Sequence, residues 1–147
     1  MKLTQRGFSL VEALVALVVL SVGLLGIAAL YVSALRFGRN ALLRSDAVTL
    51  AGDMADRIQA NGSGGAGYAL AAGATNTAVA ACSTNGCTAA QMATTDKAQW
   101  KALLAQALPA GTGTIAVDTT TTPTTYTITV NWTEPNVGAQ SYQLSVQ

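Results

Sequence analysis

The stretch that decides the fold is Gly7-Phe8-Ser9-Leu10-Val11-Glu12, followed by ALVALVVLSVGLLGIAALYVSAL from Ala13 to Leu35. No charge interrupts the run after Glu12. It exceeds the ~20 residues that carry a helix across a hydrocarbon core about 30 Å thick. At ~1.5 Å per residue, a helix from Phe8 to Leu35 is roughly 42 Å long. Glu12 stands nearly alone in this apolar setting. A carboxylate at membrane depth costs roughly 2.5–3.5 kcal/mol on insertion scales, so a solitary one marks a functional position.

Two plainer readings compete. In a secretory signal peptide, Lys2 and Arg6 would form the charged start and Val32-Ser33-Ala34 the cleavage site. Such an apolar region is only about 7–15 residues long, however, and does not hold a carboxylate. A simple single-pass anchor leaves Glu12 without a purpose. Charge does not settle the topology, because Lys2 and Arg6 precede the run while Arg36, Arg39 and Arg44 follow it. The trailing arginines suit contact with anionic lipid headgroups.

Beyond the run, Leu43, Ala47, Leu50, Met54 and Ile58 recur at helical spacing. Asp53 and Arg57 are placed as an i,i+4 pair with the acid first, and Asn61-Gly62 is a stop signal. One helix from about Ser9 to Ala60, near 80 Å at ~1.5 Å per residue, is therefore expected. Its first half is apolar all round; its second half is amphipathic and calls for a packed domain. Gly23 and Gly26 suit close packing of membrane helices. Residues 62–90, rich in Gly, Ala, Ser, Thr and Asn, read as an irregular connector. A second helix is expected to be capped by Thr94 or Thr95, with Asp96 in its first turn. Its apolar stripe is Trp100, Leu103, Leu104, Ala107 and Leu108, and Pro109 ends it. Strand chemistry follows. Ile115 and Val117 alternate with small or polar neighbours, as do Tyr126, Ile128, Val130 and Trp132, and then Tyr142, Leu144 and Val146. The expected class is α+β: a long N-terminal helix packed on a small C-terminal antiparallel sheet.

Composition narrows the function. The chain of 147 residues carries 8 Lys+Arg against 7 Asp+Glu, with no basic block, which gives nucleic-acid binding no electrostatic support. It contains no histidine, the commonest general base and metal ligand. Cys82 and Cys87 flank Ser-Thr-Asn-Gly. In a reducing compartment they would be free thiols or half a metal site; outside it they close a short disulfide loop. The lack of a second cysteine pair and of histidine argues against zinc and favours the exported disulfide, with Gly86 easing the turn. No cofactor is implied. Asp53 with Asp56 is the one close carboxylate pair, and on a helix face it reads as solvated charge rather than catalysis.

Gly7 through Glu12 resemble the type IV prepilin processing site. The resemblance implies a leader of residues 1–7 cut after Gly7 by a prepilin peptidase, and N-methylation of the new first residue, Phe8. It further implies that Glu12 meets the terminal amine of a neighbouring subunit during assembly. Pairing makes such a burial far less costly than leaving the charge alone and sets register between chains. Residues 8–35 would be the transmembrane and assembly half of the helix, and 36–147 a periplasmic head that includes its amphipathic half. The N-terminus would be cytoplasmic, in the inner membrane, before the chain enters a pilus. Within that class, Ser21–Ala28, Ala55–Asn61, the pattern Asp96, Trp100, Leu104, Leu108-Pro109 and Gly111, and Tyr126–Trp132 resemble the V-type minor pilins, the type IV pilus modification (PilV) family. Major pilins usually carry their cysteine pair near the C-terminus, whereas here it lies mid-chain.

The resemblance implies a non-enzymatic minor pilin acting in a priming or tip complex for pilus assembly. Its partners would be other minor and major pilins, the prepilin peptidase, an inner-membrane assembly platform and membrane lipid. Two alternatives share parts of the pattern. One is a minor pseudopilin of type II secretion; the other is a pilus-associated adhesive module using the Thr-rich loop Thr119–Thr125.

Overall fold

A computed structural model describes residues 7–84 and 86–147. Helix α1 runs from Leu10 to Ala60, 51 residues. The contacts of the chain divide it between Arg39 and Asn40. In the first unit, the helix from Leu10 onward is exposed throughout, and its most apolar 18-residue window has mean hydropathy 2.8. It is long and apolar enough to cross a membrane.

The second unit, Asn40–Gln147, holds the core. Here α1 buries Leu43, Ala47, Ala51, Met54, Ala55 and Ile58 on one face, the stripe expected from the sequence with two further alanines. Leu50 is half-buried beside them. Asp53 and Arg57 form the expected i,i+4 ion pair at 2.9 Å. The helix stops at Ala60, where Asn61-Gly62 opens a 3-10 turn over Gly62–Tyr68.

That turn corrects the connector reading. Tyr68 is fully buried, and Leu70 exchanges backbone hydrogen bonds with Ile115 at 2.9 and 3.0 Å. Two large side chains in a Gly/Ala-rich stretch suffice to fasten it. A short helix, α2 (Ala81–Thr84), precedes α3 (Ala89–Ala107).

The start of α3 also differs from expectation. Its cap is Thr88, whose hydroxyl accepts from the Gln91 N–H (3.3 Å) while Gln91 Oε1 accepts from the Thr88 N–H (2.9 Å). This Thr-x-x-Gln capping box satisfies two orphan donors at once, so the helix begins nearly two turns earlier. Thr94, Thr95 and Asp96 lie inside it. The stripe is narrower too. Trp100, Leu104 and Leu108 are buried at four-residue steps, while Leu103 and Ala107 are exposed. Leu108 forms the C-cap and Pro109 follows.

Strands β1 (Thr112–Asp118), β2 (Thr125–Glu134) and β3 (Gly138–Val146) form an antiparallel sheet in the order β1-β2-β3. The period-two expectation holds on β2, where Tyr126, Ile128, Val130 and Trp132 are all buried. Gly113 lets α3 approach β1. A Cβ there would run into the Trp100 ring and the Leu104 side chain. The turn from β2 to β3 places Asn136 and Gly138 at positive φ (67° and 102°), conformations that suit those two residue types.

Candidate functional site

Gly7 and Phe8 precede α1, and both are exposed. The Ser9 carbonyl takes the first helical hydrogen bond, from Ala13 N–H at 3.2 Å. That makes Glu12 the third residue of the helix, in the turn where a carboxylate complements the positive end of the dipole. Among the described residues Glu12 has no ion pair or side-chain hydrogen bond. Lys2 and Arg6, and with them all of the expected 1–7 leader but Gly7, lie outside the described residues.

Cys82 and Cys87 are joined in a disulfide five residues apart. They close the chain between α2 and α3. The joined pair borders two hollows. One of about 190 Å³ includes Cys82, Val79 and Thr95; one of about 420 Å³ includes Cys87, Arg57, Asn61 and Asp96. No group of three or more metal-ligating side chains occurs among the described residues.

The polar centre of the head is a cluster that sequence reading did not assemble. The Tyr68 hydroxyl donates to Asp96 Oδ2 at 2.7 Å and accepts from Asn61 Nδ2 at 3.0 Å. Arg57 Nη1 reaches Asp96 Oδ1 at 3.3 Å and Gln99 at 3.0 Å, while its Nε holds Asp53 at 2.9 Å. Asn61 also donates to the Ala89 carbonyl at 2.9 Å. The end of α1, the 3-10 turn and the first half of α3 are thereby tied together. Burial, aided by the bond to Asp96, pushes the Tyr68 phenol up to about 12. Nearby, Lys97 donates to the carbonyls of Gly67 (2.6 Å) and Ala69 (3.1 Å), and its burial lowers its pKa. The signal for Asp96 was its position, four residues before Trp100 and eight before Leu104, on the apolar face. A charge there needs a partner. The members of the cluster bond to one another and to the neighbouring backbone. It acts as a clasp.

A separate ion pair fixes β2 to α1. Glu134, with a fully covered side chain, accepts from Arg44 Nε at 2.7 Å and Nη2 at 3.0 Å. The bidentate bond holds the Glu134 carboxyl below its ordinary range, against the opposing effect of desolvation. The Trp132 indole N–H is itself buried without a hydrogen-bond partner. This changes the reading of Arg44, which faces a carboxylate of its own chain rather than a headgroup. Glu134 falls in the inward register Tyr126, Ile128, Val130, Trp132, Glu134, and that register was the available signal.

The comparisons bear on both halves. The prokaryotic N-terminal methylation motif matches residues 2–28. A family described as Type IV pilin Tt1218 matches residues 29–98. A long apolar N-terminal helix followed by a three-stranded antiparallel sheet is consistent with the type IV pilin fold. No curated protein and no solved structure matches the chain. Pilins of this family are structural proteins. The methylation motif implies processing by a prepilin peptidase and association with other pilins, and together with the apolar helix it points to a membrane anchor. The motif match contains Gly7, Phe8 and Glu12; the family match contains the Arg57, Tyr68 and Asp96 clasp.

Proposed function

We propose that this pilin is a minor subunit of the V-type, taking part in a priming or tip complex for type IV pilus assembly. Its residues 1–7 are a leader removed after Gly7, and Phe8 becomes the methylated first residue. Residues 8–35 lie in the inner membrane with the N-terminus cytoplasmic, and 36–147 form the periplasmic head. Glu12 pairs with the terminal amine of a neighbouring chain. The strongest support is Glu12 itself: a lone carboxylate, without a partner among the described residues of its own chain, inside a matched methylation motif and an exposed apolar helix. An isolated charge of this kind is retained for a contact made elsewhere. The mid-chain disulfide, Cys82–Cys87, supports a minor over a major subunit.

Mass spectrometry of the mature N-terminus should find methylated phenylalanine. A start near Leu35 would restore the signal peptide. Glu12→Val should insert in the membrane yet be missing from sheared filaments; its normal incorporation would remove the role given to Glu12. Loss of twitching without loss of secretion separates the pilus reading from the pseudopilin.

A further inference from the structure

The chain between the 3-10 turn and α3 is held unevenly. At one end, Leu70 is buried and exchanges two backbone hydrogen bonds with Ile115. At the other, Thr88 caps α3. Residues 71–83 between them read AAGATNTAVAACS, with Val79 as the one large aliphatic side chain. Ala74 packs against the core and accepts a hydrogen bond from Lys101 Nζ, whereas none of residues 75–83 belongs to that core. A segment that buries little apolar surface opens locally at low cost. The four-residue α2 is too short to be stable on its own.

The ties from residues 75–83 to α3 include one hydrogen bond and one covalent bond. The Val79 N–H donates to Thr95 Oγ1 at 2.9 Å, and Cys82 is joined to Cys87. The two cysteines stand differently. Cys87 adjoins the capping box at Thr88, so α3 positions it. Cys82 lies in α2 and is drawn to the start of α3 through the bridge. Under the segment is the hollow of about 190 Å³, lined by Val79 and Cys82 from the segment and by Met92, Thr95 and Asp96 from α3. Met92 and Asp96 also line the hollow of about 420 Å³ that includes Cys87.

We propose that residues 75–83 form a flap latched over α3 by the Cys82–Cys87 bond, and that a dithiol reductant releases this flap while the rest of the head stays folded. In the exchange the S–S bond breaks, Cys82 and Cys87 take up two electrons and two protons to become thiols, and the dithiol closes to its own disulfide. The flap then lifts from the smaller hollow and uncovers Thr95 and Asp96. Oxidation of the two thiols by a disulfide-bearing oxidant seats it again. That oxidation is the reaction the head requires before it shows its closed surface. The buried core needs no flap residue, so it stands in both states. The proposal concerns the head alone and does not depend on the minor-subunit reading.

The test is amide hydrogen exchange of the full-length, detergent-solubilised chain, read by NMR before and after dithiothreitol. The reporters are the Val79, Cys82 and Ser83 amides, which donate to Thr95 Oγ1, the Val79 carbonyl and the Ala80 carbonyl. Reduction should speed their exchange by about tenfold or more, and leave Trp100, Leu104, Ile128 and Val130 within about twofold. Reoxidation should restore the slow rates, and a Cys82→Ser, Cys87→Ser chain should exchange as the reduced protein does. Unchanged exchange at Val79 after reduction would show a flap held without the bond. Faster exchange spread through β2 would show a bond that holds the whole head. A bridge that dithiothreitol reduces only in denaturant would be no latch. Each of these three results overturns the proposal.

Discussion

Within α1, the residues up to Arg39 and those from Asn40 to Ala60 use the same backbone and bury opposite amounts. The first stretch exposes leucine, valine and isoleucine on all sides, Leu25 at 71% and Leu30 at 72%. The second hides a stripe in which three of six buried residues are alanine: Ala47, Ala51 and Ala55. The large residues that cover that stripe come from elsewhere, as Trp100 does when its indole donates to the Leu50 carbonyl at 2.8 Å. The lesson concerns what each stretch must meet. A surface of large apolar side chains all round suits lipid and sister helices. A narrow stripe of small ones suits close approach by elements of its own head. Apolar content alone does not separate the two; distribution around the helix does.

The hardest way to break this contrast is to remove the largest covering residue. Trp100→Ala should cost the head about 3–5 kcal/mol, since it empties a fully buried site and orphans a hydrogen bond. Leu17→Ala, in the exposed stretch, should leave head unfolding within about 0.5 kcal/mol of wild type. Denaturant unfolding of the detergent-solubilised chain, followed through Trp132 fluorescence, reads both. Equal effects would mean that the two stretches do not differ as described.

A smaller effect sharpens the picture of how the packed stretch ends. Tyr68→Phe keeps the ring but leaves Asp96 and Asn61 each short of a partner, a loss of roughly 1–3 kcal/mol for buried groups. The pH dependence gives a signature. The phenol titrates near 10 in the unfolded chain and at about 12 in the fold. Folding therefore favours the protonated form, and its contribution is intact below pH ~10 and lost as pH rises from there through 12. The wild-type protein should lose stability over that interval, and Tyr68→Phe should lose less. Matching alkaline slopes would place the phenol outside the clasp.

Much of this was legible because the signals were local or periodic. The run after Glu12, the i,i+4 pair Asp53–Arg57 and the alternation of Tyr126 through Trp132 each carry their partner within a few residues. The missed contacts join distant positions: Tyr68 to Asp96 across 28 residues and Arg44 to Glu134 across 90. Nothing local ties those pairs, although each carboxylate sat on an apolar face and so announced a need. The misplaced start of α3 is a separate matter. Thr94 and Thr95 offered hydroxyls of the right type, but Thr88 had glutamine three residues on, and the reciprocal box outcompetes a lone hydroxyl. For Glu12 and the leader, local text was all there was, and the methylation-motif match covers that same stretch.

The Arg44–Glu134 pair supplies the smallest expected effect and the finest test of where the packed stretch begins. Arg44 keeps 58% of its side chain exposed while Glu134 keeps none, so water and salt screen one partner only. The Glu134 carboxyl is held low by the Arg44 hydrogen bonds. Its stabilising contribution is therefore present above the unfolded carboxylate value of about 4.3 and is lost as pH falls through the depressed folded value. Asp118, lowered by its bonds from Thr120, titrates on the same side, so the comparison belongs in an Asp118→Asn background. There, acid unfolding of the Glu134→Gln variant should show a shallower fall than its parent, and 1 M salt should narrow the gap only partly, because the carboxylate is covered. If the acid slopes coincide, Glu134 titrates alike in the folded and unfolded chain. The first turns of α1 beyond Asn40 would then be held by Leu43 and Ala47 packing alone.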